Sequence, residues 1–260
     1  MKENAPLILL CRCSRGELSL THAQERMARA LEAAQLPFQA VDDLCGLAAR
    51  KDPVLREVLA SHPVSVLACH SRAVKWLLRA GGADANRTTL FNSRQEAAEP
   101  IVARLVENGF HSDDAPANAF KKVGDWVPWF PVIDYDRCKN CKQCLSFCLF
   151  GVYGLDATGR VAVVNPQGCK TNCPACARIC PDVAIIFPKY NQAPINGAPI
   201  VDEDAERAKV KVNVQEILGS DVYGALSERK KRARSLLIKK SANPGSLDLS
   251  APRAVWPPKP

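Results

Sequence analysis

"CKNCKQCLSFC" (Cys138–Cys148) decides how the middle of this chain is read. Its cysteines are spaced C-x2-C-x2-C-x3-C. A second run, "CKTNCPACARIC" (Cys169–Cys180), follows as C-x3-C-x2-C-x3-C, with Pro181 next. The wider segments "VIDYDRCKNCKQCLSFCLFGVY" and "VVNPQGCKTNCPACARICPDVAI" align cysteine for cysteine, which makes the region an internal repeat. Between the runs lies "GVYGLDATGRVAVV". Its two short apolar stretches around Asp156–Gly159 read as a hairpin. Each half is expected to give a short strand, a ligand loop and a short helix.

The whole chain holds twelve cysteines in 260 residues. They fall into three groups of four: 11, 13, 45 and 69; 138, 141, 144 and 148; 169, 173, 176 and 180. In a reducing compartment, thiols in this number read as metal ligands rather than disulfides. Four is the ligand count of an Fe–S cluster and of a structural zinc. No signal peptide is read at the N-terminus, since "PLILLC" is short and Glu3 precedes it. No apolar run reaches membrane-spanning length. A cytoplasmic protein without a membrane span is the expectation.

Residues 130–190 resemble the bacterial-type ferredoxins that carry two [4Fe–4S] clusters. Close spacing lets three thiolates of each run reach one cube, and the fourth ligates the other cluster. The resemblance therefore implies Cys138, Cys141, Cys144 and Cys180 for cluster one, and Cys148, Cys169, Cys173 and Cys176 for cluster two. Two departures stand out: Leu149 replaces the usual Pro after the first run, and the second run has one extra residue between its first cysteines. A pair of zinc sites is the competing reading.

The first 108 residues alternate in type. "LILLC" (7–11), "FQAVDD", "VSVLAC" (64–69) and "TTLFN" read as strands. "HAQERMARALEAAQ" (22–35) reads as a helix capped by Thr21, with Met27, Ala30, Leu31 and Ala34 on its apolar face. "PVLREVLASH", "SRAVKWLLRAGG" and "RQEAAEPIVARLVENG" read as further helices, with Pro100 in the first turns of the last. The alternation predicts an α/β domain, a parallel sheet with helices on both faces. Cys11, Cys13, Cys45 and Cys69 then all fall near the carboxyl ends of strands, where open α/β sheets place ligands. With the first strand between the second and third, the thiols converge. Ordinary core packing, a zinc site and a redox-active thiol pair are the alternatives.

Residues 5–108, with "LILLCRC", a lone Cys45 and "VSVLACHSR", resemble the N-terminal domain of the flavin-carrying component of heterodisulfide reductase. That resemblance implies a third [4Fe–4S] cluster on Cys11, Cys13, Cys45 and Cys69, and a place in anaerobic metabolism. His70 and Ser71 stand where the family has Ser-Pro. The sequence has no G-x-G-x-x-G, so no FAD or NAD site is expected here, and no Walker A or G-x-S-x-G motif.

The expected organisation is an α/β domain (1–108), a linker (109–131), a two-cluster ferredoxin domain of α+β type (132–190) and an extended C-terminal arm (191–260). Trp126, Trp129 and Phe130 are expected to be buried where the domains meet. "VKVNV" (210–214) is ambiguous between strand and helix. "DVYGALSERKKRARSLLIKK" reads as a basic amphipathic helix, and Ser227–Lys240 alone carries seven Lys/Arg against one Glu, much of the formal charge of +8. The arm suits docking on a partner protein, and its charge run reads as a solvated face rather than a nucleic-acid site. The function expected is a relay subunit of a larger oxidoreductase. It would pass single electrons to or from a flavoprotein or a partner similar to heterodisulfide reductase. An Fe–S redox sensor whose basic tail meets nucleic acid, and a catalytic N-terminal dithiol, are the alternatives.

Overall fold

A computed structural model of the chain describes residues 6–13, 18–85, 88–110 and 126–218, without the side chains of 18–21 and 211–218. The chain divides into two units, Met1–Val210 and Lys211–Pro260. The first holds a four-stranded parallel sheet of order β2-β1-β3-β4, formed by β1 (Leu7–Cys11), β2 (Gln39–Val41), β3 (Val64–Ala68) and β4 (Thr88–Asn92). β1 thus lies between β2 and β3, the order that converges the strand-end cysteines.

Strand periodicity sorts the core onto two faces. Ile8, Leu10, Leu67 and Phe91 pack with Met27 and Leu31 of α1 (Leu18–Ala33) and with Ile101 and Leu105 of α5 (Ala98–Glu107). Leu7, Leu9, Cys11, Val64, Val66 and Ala68 point the other way. They pack with α2 (Leu44–Ala49), α3 (Pro53–Ser61) and α4 (Ser71–Ala80). Helices therefore cover both faces, as the alternation predicted. Two details differ. α1 begins before residue 22, so Thr21 lies inside the helix and is not its cap. Along the sequence, Leu20 stands at helical spacing from Met27 and Leu31, which gives the earlier start its apolar continuity. Ala34 is exposed, and Gln24, buried with neither amide atom hydrogen-bonded among the described residues, takes part in that face instead. Second, α2 is a helix that the sequence pattern did not reveal. Asp43 caps it, its Oδ1 accepting from the amides of Cys45 (3.0 Å) and Gly46 (3.4 Å).

The ferredoxin-like part contains β5 (Val132–Ile133) paired antiparallel with β8 (Ile185–Ile186). It also has the expected hairpin, β6 (Tyr153–Leu155) and β7 (Val161–Val163), and two short helices, α6 (Gln143–Phe147) and α7 (Ala175–Arg178). The repeat is visible in the backbone. Asn140 and Asn172, each just before the second cysteine of its run, have φ of 58° and 61°. Asn tolerates this left-handed region better than most residues. Three residues after the last cysteine of each run, Gly151 and Val183 have φ of 64° and 50°. A side chain at Gly151 would meet nothing within 4 Å, so only the backbone opposes one there. Gly151→Ala is expected to destabilise the protein by about 1–2 kcal/mol, read as a lowered midpoint in chemical denaturation.

The two parts pack within one unit. Phe130, Val132 and Ile186 join the core on the α2–α4 face of the sheet, whereas Trp129 and Ile133 point into the ferredoxin core. Trp129 and Phe130 are buried and Trp126 is half-buried, stacked on Phe130. α4 carries most of the junction. Arg72 Nε donates to Asp134 Oδ2 (2.7 Å) and its Nη2 to the Val183 carbonyl. Lys75 pairs with Asp136 (2.6 Å), and Trp76 meets Tyr135 edge-on at 5.6 Å. "VKVNV" belongs to a helix, α8 (Glu203–Leu218). The basic segment 221–240 and most of the linker lie outside the described residues. No helix among the described residues is long and apolar enough to cross a membrane.

Candidate metal centres

The structure brings the twelve cysteines together in three sets. Cys138, Cys141, Cys144 and Cys180 line one cavity, walled by Ile133, Val161, Ala184 and Ile185. Three of these thiols come from the first run and the fourth from the end of the second. The loop before α6 delivers Cys138 and Cys141 and the first turn of α6 Cys144; the turn after α7 returns Cys180, whose Sγ accepts from the Ala184 amide at 3.3 Å. Burial, followed by the neighbouring Cys180, pushes the Cys144 thiol up to about 11.

Cys148, Cys169, Cys173 and Cys176 form the second set. Burial pushes the Cys169 and Cys176 thiols up to about 12. Cys148 and Cys173 act electrostatically on both, and Cys169 acts on Cys176. The Tyr153 hydroxyl donates to Cys176 Sγ at 3.1 Å. Leu149, in place of Pro, is 88% exposed, so nothing packed constrains that position.

The third set lies at the carboxyl edge of the parallel sheet. Cys11 ends β1, Cys13 follows it in the left-handed region (φ 47°), Cys45 is in the first turn of α2, and Cys69 follows β3. Cys11 and Cys13 hydrogen-bond through their side chains, and this contact, followed by burial, holds the Cys11 thiol well above its ordinary range. Cys11 Sγ also accepts from the Leu44 amide at 3.4 Å. Burial raises Cys45, and it raises Cys69 to about 12; Cys13 acts electrostatically on both, and Cys69 on Cys45. Two cations stand beside this set. Lys189, from the ferredoxin part, pairs with Asp43 in a bridge whose side chains are only 6% and 1% exposed. Arg94, just after β4, acts on Cys13 and Cys69, and its buried Nε has no hydrogen-bond partner among the described residues. Sequence reading missed Lys189, Arg94 and Asp43. Asp43 carried a capping signal; the two cations carried none.

Such sites fit a polynuclear anionic group. Buried thiols that resist ionisation are held as thiolates when a metal cation binds them. Apolar walls, amide and hydroxyl donors to sulfur, and an unsatisfied Arg94 donor suit a group with bridging sulfides. Among the described residues no three His, Cys, Asp or Glu side chains are arranged to hold a single metal ion.

Residues 130–212 match the 4Fe-4S dicluster domain. Over 71 residues the chain is 34% identical to the pyruvate synthase subunit PorD of Methanocaldococcus jannaschii, covering 27% of this chain and 80% of that protein. The chain belongs to the 4Fe–4S dicluster family. It is also 51% identical over 63 residues to an uncharacterized ferredoxin of M. jannaschii (24% of this chain, 42% of that one). It is 33% identical over 79 residues to the ketoisovalerate oxidoreductase subunit VorD of Pyrococcus horikoshii (29% and 72%). The chain spans less than half the length of the M. jannaschii ferredoxin. The dicluster match accounts for two of the three thiol sets and leaves the sheet-edge set without a counterpart in the matched segment.

Proposed function

We propose that this protein is an iron–sulfur relay subunit of a larger oxidoreductase, holding three [4Fe–4S] clusters. Cys138, Cys141, Cys144 and Cys180 would hold the first, Cys148, Cys169, Cys173 and Cys176 the second, and Cys11, Cys13, Cys45 and Cys69 the third. When bound, such clusters take up and release single electrons. The observation that carries the reading is the packing of Cys169. Half-buried, it packs against the ferredoxin core that contains Cys176 and also against the core that contains Cys11, Cys13 and Cys45. One thiol of the second set thus lies between the two cores, a placement that suits a relay between the sets.

The residues around each set have defined tasks. Ala184, Leu44 and Tyr153 present donors to sulfur, which favours the more negative state of whatever the thiols bind. Trp129, Phe130 and Phe187 exclude water where the two parts meet. Cys141 is exposed and marks where electrons enter or leave the first set. The names of PorD and VorD support a role as one of several subunits. The resemblance of residues 5–108 to the flavin-carrying component of heterodisulfide reductase supports the third cluster and a flavin-carrying partner.

Anaerobic reductive titration of purified protein with titanium(III) citrate tests this. About three electrons per chain are expected, one for each cube. Uptake of about two, with stoichiometric zinc at the remaining thiols, would refute the third cluster and leave an ordinary two-cluster domain.

A further inference from the structure

The sheet-edge thiol set has a deeply buried ion pair beside it, Lys189 with Asp43. Cluster-forming thiols at the 138–180 cavity have Lys139 and Lys142 nearby, both at the exposed surface and screened by water. The sheet-edge set has buried or half-buried charge on two sides.

On one side is Lys189. It follows β8 and Phe187–Pro188, so the ferredoxin part supplies it. It shares a cavity wall with Cys45, Trp129 and Phe130. Its ammonium pairs with Asp43, the residue that caps α2 and fixes Cys45.

On the other side is Arg94. β3 and β4 are paired with Ala68 opposite Asn92, so the chain beyond β4 runs beside Cys69 and His70. The turn is fixed by the Ser93 amide on the Ala68 carbonyl (2.9 Å) and the Arg94 amide on Asn92 Oδ1 (3.1 Å). Asn92 also bonds His70 at 3.2 Å. Asp43 is the opposing charge in the set.

We propose that Arg94 and Lys189 are the charge-compensating residues of the sheet-edge thiol set, with Lys189 supplied by the ferredoxin part and balanced by Asp43. This rests on the three-cluster reading above. When the group held by these thiols accepts one electron from the neighbouring set, one negative charge is added. No bond forms or breaks and no proton moves. Arg94 and Lys189 stabilise that charge and raise the reduction potential; Asp43 lowers it. Because Lys189 comes from the other part, the potential of this set depends on how the two parts are docked.

EPR-monitored redox titration of the full chain, with iron counted on the same samples, tests the proposal. Arg94→Gln and Lys189→Met are each expected to shift the midpoint of one signal to more negative potential and leave the other two in place. Asp43→Asn keeps a capping side chain and is expected to shift the same signal the opposite way. Lys189→Arg retains the charge and should leave the midpoint near wild type. Arg94 is half-buried, so its variant carries the test if Lys189→Met does not fold. About twelve irons per chain with no midpoint moved by Arg94→Gln or Asp43→Asn would overturn the proposal alone. So would Lys189→Arg shifting the midpoint as far as Lys189→Met, which would make the contact one of shape. About eight irons in the wild-type protein would remove the three-cluster reading and this proposal together.

Discussion

Cys11→Ser is expected to lower the iron content from about twelve to about eight per chain while two reduced-cluster EPR signals persist. Cys11 ends β1 on the face it shares with Leu7 and Leu9, is 7% exposed, and bonds both Cys13 and the Leu44 amide. Serine fills nearly the same volume, so the strand and its neighbours remain packed. A hydroxyl does not ionise at neutral pH and offers iron a hard oxygen where a soft thiolate is needed. The other two sets would draw all eight ligands from residues 138–180 and share none with β1, so their iron should stay. Cys69→Ser should behave alike from the end of β3. Unchanged iron in both variants would mean that the sheet-edge thiols are core residues.

Arg72→Met is expected to destabilise the first unit by about 3 kcal/mol or more, lowering its apparent melting temperature by about 6–12 °C. The Arg72 and Asp134 side chains are 18% and 5% exposed. Removing the guanidinium strands the carboxylate in the junction, and the loss of a partner from a buried pair is the costly case. Arg72 also satisfies the carbonyl of Val183, a β-branched residue held in the left-handed region. That strain persists only while its surroundings fix it. The Asp134 carbonyl accepts from the amides of Arg137 and Cys138, so the disturbance reaches the first ligand loop. Differential scanning calorimetry checks the shift. A melting temperature within about 2 °C of wild type, less than about 1 kcal/mol, would show the junction to be held by its apolar contacts instead.

Much of the architecture was legible in the chain. The near-continuous apolar runs "LILLC" and "VSVLA" and the helical stripes between them specify a parallel sheet covered on both faces, because strands buried on both sides leave no polar face. The cysteine spacing and the repeat specify two ligand loops and a hairpin between them. Thr21 was misread because a good capping residue can equally stand inside a helix when apolar residues continue upstream. α2 escaped notice because "LCGLAA" is only six residues long, too short for a periodicity to emerge.

The sequence by itself therefore determined that the thiols come in fours and that Cys11 and Cys69 stand at strand ends. Local spacing controls that, over a few residues at a time. Only the tertiary structure decided that the ferredoxin part docks on the same sheet face as Cys11. It also brought Lys189 to Asp43 across 146 residues and placed Arg72 against Val183. Those contacts depend on how two finished surfaces fit, on shape and charge assembled from distant segments, and no periodicity along the chain records them.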